Sequence, residues 1–295
     1  MNVPAVVYCE GMNTSTKTSE PQALGSVTLS RGEGDLANIA YLTLNRPEKL
    51  NGLTLPMLRD LVRHAKAIKA DREIRAVIVR GAQGNFTAGL DFATALKKPA
   101  DIAKAFVSLP WRGTNLFQEG PWCLRRLPVP VIAAVEGYCF GGGVQIALAS
   151  DYRFTTPDAQ WSVLEAKWGL IPDMSGIQSL SQVLPIDVAK RLTITGEQFD
   201  GARAVELGVA SEVSEDPLAS AEELARLILT RSPDSVAYAK RLFDETWTSS
   251  ARTTFFKERL RQARLLASKN TKIAQKAAAK AKGIGTAVAY RKRGV

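Results

Sequence analysis

Apolar positions along the first two-thirds of the chain fall into short runs broken by turn residues. "GSVTLSRG" (25–32) alternates apolar and polar positions, and "IAYLTL" (39–44) is nearly continuous; together they predict a β-hairpin. The turn "NRPEKLNG" (45–52) follows. Leu58, Leu61, Val62, Ala65 and Ile68 then recur at helical spacing, which predicts a helix over Leu55–Ala70 with Thr54 as its cap. "RAVIVRG" (75–81) and "VPVIAAVEG" (129–137) read as buried strands. "GGGVQIALASD" (141–151) opens a helix directly after the second of them. "DYRFTT" (151–156) and "AQWSVLE" (159–165) predict further short strands, and "GIQSLSQVL" (176–184) a helix. From residue 217 onward "PLASAEELARLILTRS", "DSVAYAKRLFDETW" and "TFFKERLRQARLLASKN" are all helical in period. Strands and helices mixed to about residue 213, then helices alone, predict an α/β architecture with a helical C-terminal region. The expected organisation is a flexible extension over 1–25, a core over 26–213 and a helical region with a basic tail over 214–295.

Composition and charge narrow the chemistry. The chain has 295 residues, of which 45% are hydrophobic and 23% charged, an ordinary globular balance. No run approaches the ~20 apolar residues of a membrane span. The N-terminal stretch has no basic start and carries Glu10, so it reads as an extension rather than a signal peptide. Three cysteines, Cys9, Cys123 and Cys139, have no metal-ligand spacing and fit a reduced, cytoplasmic setting. One histidine, His64, reads as a helix-surface residue, which excludes a Ser-His-Asp triad or a multi-histidine metal site at any other position. No metal is expected. Residues 252–295 carry 13 Lys and Arg against Glu258 alone, or +12; the remaining 251 residues carry 26 basic and 28 acidic groups, or −2. Lys272, Lys276 and Lys280 share one helix face, either solvated or facing the phosphates of a ligand. No aromatic residue interleaves with them, so nucleic acid is not an expected partner.

The candidate chemistry lies in two small-residue turns. Gly141–Gly143 join a strand to a helix start, where backbone N–H groups are unpaired and the helix dipole is positive. Such a turn suits a phosphate or a developing oxyanion, but tight helix–strand packing asks for the same glycines. No "GK[ST]" follows, which argues against a phosphate loop. "NFTAGLDF" (85–92) offers a second turn after another buried strand. Two N–H groups from two such turns can hold one oxygen.

"LNRPEKLN" (44–51), "FTAGLD" (86–91), "EGYCFGGGVQIALASDYRF" (136–154) and "AQWSVLEAKWGLIPDMSG" (159–176), in this order, resemble the crotonase, or enoyl-CoA hydratase/isomerase, superfamily. The likeness runs from about residue 26 to 282. It implies a spiral of ββα units with a C-terminal helical trimerisation region, in a homotrimer or a hexamer built as a dimer of trimers. It implies acyl-CoA substrates, hence fatty-acid metabolism, with coenzyme A as part of the substrate and no separate cofactor. The thioester oxygen would sit between the N–H groups of Leu90 and Gly142. CoA would lie near Glu48, Lys49 and Leu50 and near Ala88, Gly89 and Asp91, with C-terminal basic residues toward its phosphates.

The expected catalytic residues are Glu165, Asp173 and Gln145. Hydratases of the family hold water between two glutamates; Glu165 matches one, and Gln145 stands where the other is expected. A glutamine orients groups but carries no proton near neutral pH. Asp173, eight residues beyond Glu165, matches a carboxylate of the dienoyl-CoA isomerases, in which the Gln145 position is itself usually an aspartate so that two carboxylates of three match, or else caps the helix near Gly176. Glu165 is alternatively a solvated strand-end acid. The inventory favours an isomerase that shifts double bonds of an enoyl- or dienoyl-CoA. A hydratase with Gln145 replacing one acid, and a non-catalytic CoA-thioester-binding or scaffold protein, are the alternatives.

Overall fold

The computed structural model describes residues 26–91, 97–108, 110–280 and 288–295. The expected extension over 1–25, with Cys9, lies outside them. The hairpin forms as expected: β1 (Ser26–Arg31) pairs antiparallel with β2 (Ile39–Asn45), Ser26 opposite Asn45 and Arg31 opposite Ala40. All later strands of the main sheet are parallel, each reached by a crossover. Helix α1 (Leu55–Ala70) makes the first crossover, and Thr54 caps it by accepting a hydrogen bond from the Met57 N–H at 3.3 Å. Strand β3 (Ala76–Gly81), α2 (Pro99–Phe106), α3 (Leu116–Arg125), β4 (Val131–Val135), β5 (Tyr138–Phe140) and α4 (Gly142–Leu148) follow. Strands β6 (Tyr152–Thr155) and β7 (Gln160–Ser162) precede a 3₁₀ helix, Leu164–Trp168. Helices α5 (Gly176–Val183), α6 (Ile186–Thr195) and α7 (Gly201–Glu206) lead to β8 (Glu212–Val213).

The six-stranded sheet runs β1-β2-β3-β4-β6-β8. Strand β4 is apolar and buried at every position, and β3 is so over Ala76–Val79, because both faces are covered. Val77 and Val79 of β3, with Val131 and Ala133 of β4, pack into one core beside Leu58 and Leu61 of α1. Ala76, Ile78, Ile132 and Ala134 alternate onto the other face, where Ala221 and Ala225 of α8 (Pro217–Leu229) cover them. A small second sheet pairs β5 with β7 in parallel, Cys139 opposite Trp161. The units β4-β5-α4 and β6-β7-3₁₀ therefore repeat one above the other. Thr87 extends the small sheet by bridging Cys139 from the preceding turn of chain. This stacking of strand-strand-helix units is a spiral, and it brings turns distant in sequence to one edge.

Helices α9 (Pro233–Thr246), α10 (Ala251–Ala267) and α11 (Lys269–Lys280) complete the C-terminal region. Part of its positive charge is engaged within the chain. Lys257 and Arg261 pair with Glu245, and Lys292 pairs with Glu73 at 2.7 Å. Arg293, 2% exposed, donates to the Asp71 carbonyl at 3.0 Å, so the last residues dock beside the start of β3. His64 sits half-buried on α1 against the Val27 carbonyl, in keeping with a helix-surface histidine. Among the described residues no helix is long and apolar enough to cross a membrane.

Candidate active site

The glycine turn is shaped by three different demands. Gly141, at φ 50°, adopts a conformation that L side chains rarely take, and a Cβ there would stand 3.1 Å from Glu165 Oε1. A Cβ on Gly142 would meet Met174 Sδ at 2.9 Å. One on Gly143 would strike Thr87 Cγ2 at 2.6 Å, so this residue serves close packing. Close packing therefore accounts for Gly143, and Gly141 and Gly142 keep space clear beside Glu165 and Met174.

The second turn is sewn to the first. Thr87 N–H donates to the Tyr138 carbonyl at 2.7 Å, and Phe140 N–H donates to the Thr87 carbonyl at 3.1 Å. The Thr87 hydroxyl donates to the Asn51 carbonyl and accepts from Gly89 N–H. Gly89 has φ 92° and backs onto the Phe140 carbonyl, 2.8 Å from where a Cβ would lie. Leu53 makes a parallel bridge with Leu90: its N–H donates to the Gly89 carbonyl and its carbonyl accepts from Asp91 N–H. In such a bridge the middle residue turns its own N–H to the other side. Leu90 N–H thus faces away from Leu53, and Gly142 N–H, at the first position of α4, has no intrahelical acceptor. Both residues line one cavity of about 520 Å³.

Glu165 enters that cavity from the 3₁₀ helix, not from a strand end. Strand β7 stops at Ser162, and the chain coils at Leu164 to turn Glu165 inward. Its side chain is 8% exposed, which removes the solvated-acid reading. Gln145, 1% exposed on α4, donates from Nε2 to Glu165 Oε1 at 2.6 Å. Gln145 Oε1 accepts from Gly176 N–H, the start of α5, at 3.0 Å. The amide therefore has a fixed orientation and joins the carboxylate to a helix start. Glu165 Oε2 is buried and has no hydrogen-bond partner. Burial raises the Glu165 carboxyl above its ordinary range, helped by repulsion from Asp173 and opposed by the Gln145 bond.

Asp173 also lines the cavity, half-buried, and burial raises its carboxyl as well. It does not cap α5. Ser175 occupies the cap position, at φ 65° and with no side-chain cap bond. The helix start instead finds its acceptor in Gln145, which removes the need for an aspartate cap.

The raised Glu165 has a consequence for stability. The folded state binds this proton more readily than the unfolded chain does, so the group's contribution is greatest at low pH and is lost as pH rises through the raised folded value. Glu165→Gln is expected to raise Tm at neutral pH, with the advantage vanishing as pH falls below the unfolded carboxyl value. Thermal melts of both proteins across pH check this, and a lower Tm for the variant at neutral pH contradicts it.

The remaining lining is apolar. Ile102 and Phe106 of α2, Phe117 of α3, and Leu164, Trp168, Leu170, Ile171 and Met174 enclose the space. Phe106 and Phe117 pack with ring centroids 4.9 Å apart. Helices α2 and α3 had no counterpart in the sequence reading. The available signal for α3 was Asn115-x-x-Gln118, a capping box that the structure forms in both directions, but Gly120 and Pro121 inside the helix mask its period.

Of the residues expected around CoA, Ala88 and Gly89 line the cavity. Glu48, Lys49 and Leu50 form an exposed turn outside the lining, tied to it by Ala88 N–H donating to the Leu50 carbonyl at 2.9 Å. Asp91 pairs with Arg46 at 2.7 Å and so braces that turn. Arg46 and Asn51, absent from the expected set, do the bracing; Asn51 Nδ2 donates to the Ala82 and Asn85 carbonyls. No described residue of the basic tail lines this cavity. Cys123 and Cys139 are buried, and burial pushes both thiols up, so neither is poised as a nucleophile. The arrangement offers two backbone donors, one buried carboxylate with an unpartnered oxygen, and a second carboxylate lining the same cavity. It can move a proton on a carbon acid whose charge develops on an oxygen held between the donors.

Comparison with known proteins gives a consistent picture. The family model described as Enoyl-CoA hydratase/isomerase matches residues 34–282. Enoyl-CoA hydratase EchA19 of Mycobacterium tuberculosis is 35% identical over 208 residues, 70% of this chain and 76% of that protein. The mitochondrial Delta(3,5)-Delta(2,4)-dienoyl-CoA isomerase of Mus musculus is 33% identical over 211 residues, 69% of this chain and 64% of the mouse protein. The crystal structure of an enoyl-CoA hydratase from Polaromonas sp. JS666 matches with a TM-score of 0.79 at 26% identity, covering 90% of this chain and 100% of that one. A hydratase and an isomerase thus stand at nearly equal identity.

Proposed function

Because the chain belongs to the enoyl-CoA hydratase/isomerase family, with acyl-CoA thioesters as the substrate class, we propose that it is an isomerase that shifts double bonds of an enoyl- or dienoyl-CoA. The observation that carries this reading is the pairing of Gln145 with Glu165. Where a second acid would be needed to hold and activate a water, the structure has an amide engaged at one end by Glu165 and at the other by Gly176. One carboxylate then serves, through its free Oε2. In this mechanism Glu165 removes the proton from the carbon next to the thioester, and the enolate oxygen lies between Leu90 N–H and Gly142 N–H. Glu165 is beside Gly141, so its carboxylate and Gly142 N–H reach the same end of the substrate. Returning the proton to the third carbon along completes a one-bond shift with atoms balanced and no water consumed. In a conjugated dienoyl substrate the proton is delivered two carbons further, a reach that falls to Asp173.

Asp173→Asn separates these two reactions. It is expected to cost roughly 10²-fold or more on a 3,5-dienoyl-CoA, the range for a lost general acid or base, and little on a 3-enoyl-CoA. Equal loss on both substrates, or none on either, removes the relay from Asp173. Gln145→Ala is expected to be milder than Glu165→Gln. It deletes a hydrogen bond that lowers the Glu165 value, so the acidic limb of the pH–rate profile moves to higher pH. An unmoved limb contradicts the positioning role. The assembly as a homotrimer or hexamer and the CoA contacts of Glu48, Lys49, Leu50, Ala88, Gly89 and Asp91 are part of the same proposal, supported by the family likeness; the cytoplasmic setting rests on the cysteine usage alone.

A further inference from the structure

We propose that the acyl group taken by this site is an extended, uncharged hydrocarbon, longer than four carbons and free of a second carboxylate; the inference rests on the acyl-CoA reading above. Charge distribution is the first ground. Glu165 and Asp173 are the only charged residues among the described lining, and no cation joins them. Lys167, the neighbour of Trp168 in sequence, lies in the open and runs its stem past Gly196 instead. An acyl chain ending in a carboxylate would enter an apolar space beside two acids and no cation, which is unfavourable on desolvation grounds and, wherever either acid is ionised, on Coulombic grounds.

Uncovered apolar surface is the second ground. Phe106 is 51% exposed and Trp168 61%, with Leu170 and Ile171 also largely exposed, yet all four converge on the one cavity. A four-carbon acyl group lying against Glu165 and the two backbone donors leaves those side chains wet. A longer chain covers them, and each methylene so buried is worth a nearly constant increment of binding.

Calorimetric titration of the purified protein with butyryl-, pentanoyl-, hexanoyl-, octanoyl- and glutaryl-CoA tests this without requiring turnover. Affinity is expected to rise about fourfold per methylene, or roughly 250-fold over the four methylenes from butyryl- to octanoyl-CoA. Glutaryl-CoA is expected to bind about tenfold or more weaker than pentanoyl-CoA, its uncharged counterpart of equal length. Phe106→Ala should cut the octanoyl-to-butyryl ratio severalfold, and Asp173→Asn should narrow the penalty on glutaryl-CoA. Equal affinities across the saturated series, or glutaryl-CoA binding as tightly as pentanoyl-CoA, overturn the inference while leaving the acyl-CoA reading in place. Failure of every acyl-CoA to bind overturns both.

Discussion

Glu165→Gln is expected to lower turnover by roughly 10²–10⁴-fold on any enoyl-CoA that the protein isomerises, the range for loss of a general acid–base group. The substitution keeps the shape and leaves an oxygen able to accept from Gln145 Nε2, so the local hydrogen bonding survives. What disappears is, among the described residues, the only lining group with a buried, unpartnered side-chain oxygen beside Gly141 and Gly142. Burial makes this carboxylate a stronger base than an exposed one, and the same burial makes its replacement stabilising at neutral pH. The expected signature is therefore a variant that melts higher and turns over far more slowly. Turnover within a few-fold of the unmodified protein would take the proton-transfer role away from Glu165.

Gly142→Pro is expected to abolish activity. Loss of one oxyanion donor alone costs about 10²–10³-fold in comparable sites, and the ring adds bulk where a Cβ already meets Met174 Sδ at 2.9 Å and Leu53 Cδ1 at 3.1 Å. Gly142 is the first residue of α4, a position at which proline is well tolerated, so the helix has no reason to break. Gly142→Ala keeps the N–H and meets only the far ends of flexible side chains, so it should lose much less. Circular dichroism and melting of both variants confirm the fold. Equal activities of the two would show that bulk, not the donor, governs the effect.

Much of this site was legible before any coordinates. Thr54 as a cap, the apolar stripe on α1 and the turn chemistry at Gly141–Gly143 depend on local spacing, which a sequence displays directly. The pairing of Gln145 with Glu165 does not: twenty residues separate them, and only the pairing of β5 with β7 brings α4 against the 3₁₀ helix. Asp173 illustrates the same limit. A carboxylate three residues before a helix is a reasonable cap, but the acceptor for that helix start arrives from α4 instead. The cavity wall was missed where α3 carries Gly120 and Pro121, because these residues interrupt a helical pattern that its capping box and its packing restore. Strand "AQWSVLE" was read too long, since nothing local announces that the chain coils at Leu164 to aim Glu165 inward.

The central claim is that the protein moves a proton between carbons and adds no water. It is tested most directly by incubating the unmodified protein in heavy water with a 3-enoyl-CoA, a 3,5-dienoyl-CoA and a 2-enoyl-CoA, and identifying the products by mass spectrometry. The account predicts a migrated double bond on the 3-enoyl or dienoyl substrate with no gain of water, and deuterium entering the dienoyl product at the remote carbon that takes its proton from Asp173. Rapid gain of one water by the 2-enoyl-CoA, with no migration on either other substrate, would contradict it and assign the site to hydration.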